Sequence, residues 1–166
     1  MARTFLTPRF LLPALGLVGI AVVLSLLHRW QPENQVRIRF QAFLSEMGSR
    51  DWDDAGVFID SSYSDRWGFT KEIVLRESRE VLTHFLSVEI QAESPIVAVH
   101  GDSATVRGKI RLVGSASTPL GEMAKSEVNR LEEPFEFEWR RMSWKPWDWK
   151  LVQVNHPDLN PDQYGL

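Results

Sequence analysis

Polar and apolar residues follow two different rhythms along this chain, and one stretch has no polar rhythm at all. Phe10 to Leu27, FLLPALGLVGIAVVLSLL, is 18 residues without a charge. From Glu33 to Met47 the apolar positions Val36, Phe40, Phe43, Leu44 and Met47 recur at helical spacing, which predicts an amphipathic helix with Gly48 as its stop. Asp51 to Ala55 predicts one short helical turn with acids at its N-terminal end, and Val57-Phe58-Ile59 an apolar edge segment. Thr70 is a suitable N-cap for a further helix over Lys71–Leu86, whose stripe is Val74, Leu75, Ser78, Val81, Leu82, Phe85 and Leu86.

From Ser87 the period changes to two. Val88, Ile90 and Ala92 alternate with Glu89, Gln91 and Glu93. Ala104, Val106, Gly108, Ile110 and Leu112 alternate with Thr105, Arg107, Lys109 and Arg111. Phe135, Phe137 and Trp139 alternate with Glu136, Glu138 and Arg140. Such alternation predicts half-buried strands of an antiparallel sheet, with acidic and basic rows able to pair on the outer face. A four-residue loop at Lys145-Pro146-Trp147-Asp148 sets the register of the last hairpin: Trp144 opposite Trp149, Met142 opposite Leu151, Trp139 opposite Val154. Phe135, Phe137, Trp139, Val152 and Val154 then face inward. Met142, Trp144, Trp149 and Leu151 form an outer apolar patch, read as an interface or as a surface covered by another part of the chain. Gly114 to Pro134 interrupts the strands, with a short helix expected over Glu122–Glu133.

Charge sharpens the division of the chain. Arg3, Arg9 and Arg29 are the only charged side chains in residues 1–29, so all 22 acidic residues lie beyond them. As a helix, Phe10–Leu27 reaches about 27 Å, close to the hydrocarbon thickness of a bilayer. Three readings fit: a membrane anchor, a cleaved signal peptide, or a buried core helix. The anchor is favoured because no small-residue cleavage site follows Leu24, and because Pro13, Gly16 and Gly19 suit a membrane helix better than a soluble one. The basic N-terminus points to a cytoplasmic start and an extracytoplasmic domain, against the opposing pull of Arg29, Arg37 and Arg39. The organisation expected is a basic segment 1–9, an anchor 10–27, a linker 28–32, a domain 33–157 and a tail 158–166. Trp30 sits where an indole suits the headgroup layer.

Composition removes several chemistries. The chain of 166 residues has no cysteine, which excludes disulfides, thiolate metal sites and cysteine nucleophiles. A net charge of −3 argues against nucleic acid as a partner. His28, His84, His100 and His156 are too widely spaced for a histidine metal motif, so no metal is expected. Phosphate-binding and dinucleotide glycine loops and the G-x-S-x-G elbow are also missing, so no cofactor is expected.

The order of helix, short helix, edge segment, long helix and curved sheet resembles the nuclear transport factor 2-like superfamily, which includes SnoaL-like and ketosteroid-isomerase-like proteins. The resemblance spans Pro32 to Pro157. It rests on Val36–Met47, on Tyr63-Ser64-Asp65-Arg66-Trp67-Gly68-Phe69-Thr70 and on Trp149-Lys150-Leu151-Val152-Gln153-Val154. It implies an α+β cone, a half-barrel of sheet closed by two to three helices, and dimers packed through the sheet face. It also implies a pocket lined here by Trp67, Ile90, Val106, Ile110, Phe137, Trp139 and Val154. Enzymes of the superfamily use an Asp or His base inside the cone. The inward rows of this sheet carry none, and Trp139 can only donate a hydrogen bond. The expectation is therefore a membrane-anchored, non-catalytic domain that binds a protein or an apolar ligand. The alternative is a small-molecule isomerase, cyclase or hydrolase using Asp60, Tyr63 and Asp65 near the pocket mouth. The counter-reading of those three is that the acids organise turns and the tyrosine fills the cone.

Overall fold

The computed structural model describes residues 30–158. The expected anchor 10–27 and most of the tail lie outside them. Among the described residues no helix is long and apolar enough to cross a membrane.

Three helices come first: α1 (Pro32–Ser49), α2 (Trp52–Phe58) and α3 (Lys71–Thr83). Strands β1 (Phe85–His100) and β2 (Ser103–Ala116) form a long hairpin. Then follow α4 (Pro119–Arg130), β3 (Phe135–Arg141) and β4 (Trp149–Asn155). The four strands form one antiparallel sheet in the order β1-β2-β3-β4. Register shifts between Phe85 and Ser87, between Glu93 and Ile96, and between Glu138 and Trp139 bend it. Pro95, which cannot donate to a ladder, sits at the second shift on an edge strand.

The expected stripe of α1 is the buried one: Val36, Phe40, Phe43, Leu44 and Met47 pack on the sheet's inner face. Gly48 is not the stop. The helix ends at Ser49 with Arg50 left-handed at φ 64°. Gly48 lies against β1, where a Cβ would meet the Val88 carbonyl oxygen at 3.5 Å, an ordinary van der Waals contact. Val57 and Phe58 belong to α2, and only Ile59 bridges to Leu151 as an edge. The third helix stops at Thr83, short of Leu86. Phe85 is already paired with Ala116, and Leu86 is exposed. Tertiary contact ends the helix there, since the His84 carbonyl accepts from Ser117 N at 2.7 Å and the start of α4 presses against it.

The outer charges pair as the alternation predicts. Arg107 meets Glu136 at 2.5 Å and Arg111 meets Glu93 at 3.1 Å, while Lys109 reaches Glu132 at 2.8 Å. Exposed pairs of this kind contribute about 0–1 kcal/mol each, so they set the character of the face more than its stability.

The last hairpin differs from its predicted register. Trp139 pairs with Leu151, Arg141 with Trp149, and Phe137 with Val154. The shift between Glu138 and Trp139 leaves Val152 without a partner on β3, and β4 starts only at Trp149, after a loop from Met142 to Asp148. Trp149 and Leu151 are consequently core residues, at 1% and 0% exposure. The predicted four-residue outer patch reduces to Met142 and Trp144.

Only Ser103–Gly108 of β2 pairs with β3, so the far half of β2 would present a bare edge on that side. Helix α4 covers it. The Asn129 amide accepts from Leu112 N at 2.8 Å and donates to Leu112 O at 3.0 Å, standing in for a neighbouring strand. Lys125 Nζ reaches Gly114 O at 3.2 Å. Helix α4 begins three residues before the expected Glu122, where the Thr118 hydroxyl accepts from Gly121 N at 3.2 Å.

Candidate functional site

The segment between α2 and α3 carries the predicted polar candidates. It runs along the outer edge of β4: Asp60 N donates to Leu151 O at 2.9 Å and Ser64 N to Val152 O at 3.2 Å. Asp60 accepts from the Ser62 hydroxyl at 2.6 Å and from Ser62 N at 2.8 Å. Those two bonds hold its carboxyl below the usual carboxylate range, which weakens it as a base. Asp65 is buried. Its Oδ1 accepts from Trp67 N at 3.0 Å and Phe69 N at 2.9 Å, and its Oδ2 accepts from the Tyr63 hydroxyl at 3.3 Å. Tyr63 is 3% exposed and belongs to the main core; burial first, and the Asp65 carboxylate second, push its phenol above the ordinary tyrosine range. The three residues thus lie close together, with both acids committed to backbone turns.

The interior that the fold would offer as a pocket is occupied by the protein's own side chains. Phe40 packs against Phe137 with tilted rings whose centroids are 4.9 Å apart, and Phe43 meets both Phe58 and Trp139 at 6.3 Å. Of the predicted lining residues, Val106, Ile110, Phe137 and Trp139 are buried in this cluster, and Ile90 and Val154 pack against it half-buried. Trp67 stays in the loop, half-buried, with the Arg66 guanidinium 5.9 Å from its ring. Among the described residues, the buried side-chain atoms without a hydrogen-bond partner are Trp139 Nε1 and Asn155 Oδ1. A buried unpaired donor costs on the order of 1–3 kcal/mol, so the Trp139 N–H is the group with which this interior could hold an acceptor.

Surface grooves lie elsewhere. One of about 410 Å³ runs between α1 and β1, lined by Leu44, Gly48, Val88 and Ile90. Another of about 340 Å³ lies around Ser49–Asp53 and Arg79. Sequence reasoning missed both, because each joins segments far apart in the chain. Close to the second, the carboxylates of Glu46, Asp51 and Asp54 come within 4.8 Å of one another. Asp51 Oδ1 already caps α2 through Asp54 N at 3.2 Å, and Glu46 accepts from the Ser49 hydroxyl at 3.5 Å. His84 bonds Thr118 at 3.1 Å. His156 is fully buried, its Nδ1 accepting from Asp158 N and its Nε2 donating to Glu133 O. Both histidines are thereby accounted for as structural groups.

An α+β half-barrel of this order is the fold of nuclear transport factor 2-like and cystatin-like proteins, and solved structures bear this out. A Streptomyces avermitilis protein of the nuclear transport factor 2-like family, provisionally named a dehydratase, is 18% identical with a TM-score of 0.54, over 74% of this chain and 91% of that one. A Nostoc punctiforme protein of unknown function with a cystatin-like fold is 14% identical with a TM-score of 0.51, over 75% and 91%. A Bdellovibrio bacteriovorus protein is 12% identical with a TM-score of 0.55 over 74% of this chain, which spans 40% of that longer protein. At these identities the likeness establishes the fold alone. No family model and no curated protein matches the sequence.

Proposed function

We propose that this chain is a membrane-tethered interaction module that works by contact rather than by turnover. Its tether is the apolar segment 10–27 and its domain lies outside the cytoplasm. The observation that carries the reading is the filled interior. Phe40, Phe137, Trp139, Trp149 and Leu151 are at most 5% exposed where an enzyme of this fold keeps its substrate. The Tyr63 phenol, part of the same core, is held neutral first by burial and then by the Asp65 carboxylate beside it. The partner is a protein or an apolar ligand, and a homodimer through the sheet face is compatible with that.

The rival reading, a small-molecule enzyme, draws on the buried Tyr63–Asp65 hydrogen bond. Tyr63→Phe separates the two, since it deletes the proton and keeps the ring. In a strain lacking this gene, the Tyr63→Phe chain is expected to restore the parental phenotype as fully as the unaltered chain. Failure to do so, at equal abundance and with unchanged circular dichroism, would move the assignment to the enzyme.

A further inference from the structure

Among the described residues the exposed indoles are Trp30, Trp144 and Trp147, joined by the exposed Ile96, whereas the exposed apolar side chains at the α4 end, Leu86, Val113, Leu120 and Met123, include no indole. Trp30 is 60% exposed, Ile96 70%, Trp144 85% and Trp147 49%. Two arginines of α1 bring these segments together. Arg37 Nη1 donates to Pro95 O at 3.0 Å, holding the β1 bulge that carries Ile96. Arg39 Nε donates to Trp147 O at 2.7 Å, holding the loop between β3 and β4. Trp30 lies two residues before the first residue of α1, Pro32. The same end carries exposed cations, Arg140 on β3 and Lys145 between the two loop indoles. Indoles beside cations suit the headgroup layer, where the ring is apolar on its face and polar at its N–H.

We infer that this end of the domain lies on the membrane surface, with Trp144 and Trp147 in the headgroup layer. The inference deepens the proposed function and rests on its reading of residues 10–27 as a membrane span. The occupant follows from the length of chain outside the structure. Five residue steps separate Leu27 from Pro32 and reach at most about 17 Å. The start of α1, and with it the Trp147 loop, is therefore held close to the hydrocarbon boundary. The opposite end, which carries α4, points away from the lipid.

The chain has no native cysteine, so a single nitroxide can be placed cleanly. Full-length Lys145→Cys and Ser126→Cys chains, both at exposed positions, would be labelled and reconstituted in vesicles of phosphatidylcholine and phosphatidylglycerol. The label at 145 is expected to lose accessibility to a water-soluble nickel chelate and gain accessibility to oxygen, relative to the label at 126. Trp144→Ser with Trp147→Ser should return position 145 to the values at 126. Equal accessibility at the two positions, in a chain that survives carbonate washing, overturns the inference and leaves the tether standing. Dipolar broadening at 145 also overturns it and assigns the face to a second copy. Release by carbonate overturns the tether and the inference together.

Discussion

Asp65 is the residue on which a structural and a chemical reading diverge most sharply, and two substitutions separate them. Its carboxylate accepts two backbone N–H bonds, at 3.0 and 2.9 Å, and one phenol bond at 3.3 Å. Asp65→Ala removes all three and leaves the Tyr63 hydroxyl without this acceptor. A hydrogen bond to a charged group contributes about 1.5–3 kcal/mol, and partial hydration of the half-exposed loop offsets some of that, giving an expected loss of about 3–5 kcal/mol. Asp65→Asn keeps an oxygen toward Trp67 and Phe69 and turns its NH₂ toward the Tyr63 oxygen, which can accept. Its expected loss is about 1 kcal/mol. Urea unfolding of the full chain in mild detergent, followed by far-ultraviolet circular dichroism, reads the difference. With a slope of roughly 1.5 kcal/mol per molar, Ala should move the midpoint by roughly 2–3 M and Asn by less than about 1 M. Equal shifts for the two variants, or a negligible shift for Ala, would refute the assignment of Asp65 to the loop.

Two further outcomes follow from the geometry. In a Tyr164→Phe chain Tyr63 is the sole phenol. Because its folded pKa is raised above the unfolded value near 10, the stability it contributes is complete below about pH 10 and is lost as pH rises toward the folded value. Tyrosinate absorbance should accordingly appear only together with unfolding; ionisation near pH 10 with intact circular dichroism would contradict this. Asn129→Leu should cost about 1–3 kcal/mol by stripping both backbone groups of Leu112, and should speed hydrogen exchange at the Leu112 amide more than at Val106, which pairs with β3.

What the sequence determined by itself was local and periodic. The α1 stripe, the alternation of β1, β2 and β3 and the start of α3 after Thr70 each depend on residues a few positions apart. A helix or strand face is fixed by such spacing alone. The candidate acids were also legible there, because an Asp two to four residues before a free backbone N–H organises a turn wherever it occurs. Tertiary structure decided the rest. The end of α3 at Thr83 depends on Ser117 and Gly121 reaching His84. The burial of Trp149 and Leu151 depends on a bulge at Val152, because one extra residue in a strand of period two reverses the faces on one side of it relative to the other, which brings Leu151 to the same face as Val154. The joining of the Ile96 and Trp147 segments to α1 depends on contacts between residues as much as 108 positions apart. Hydrophobic pattern specifies which side of an element is buried, but only the closing of long loops specifies which elements share an end.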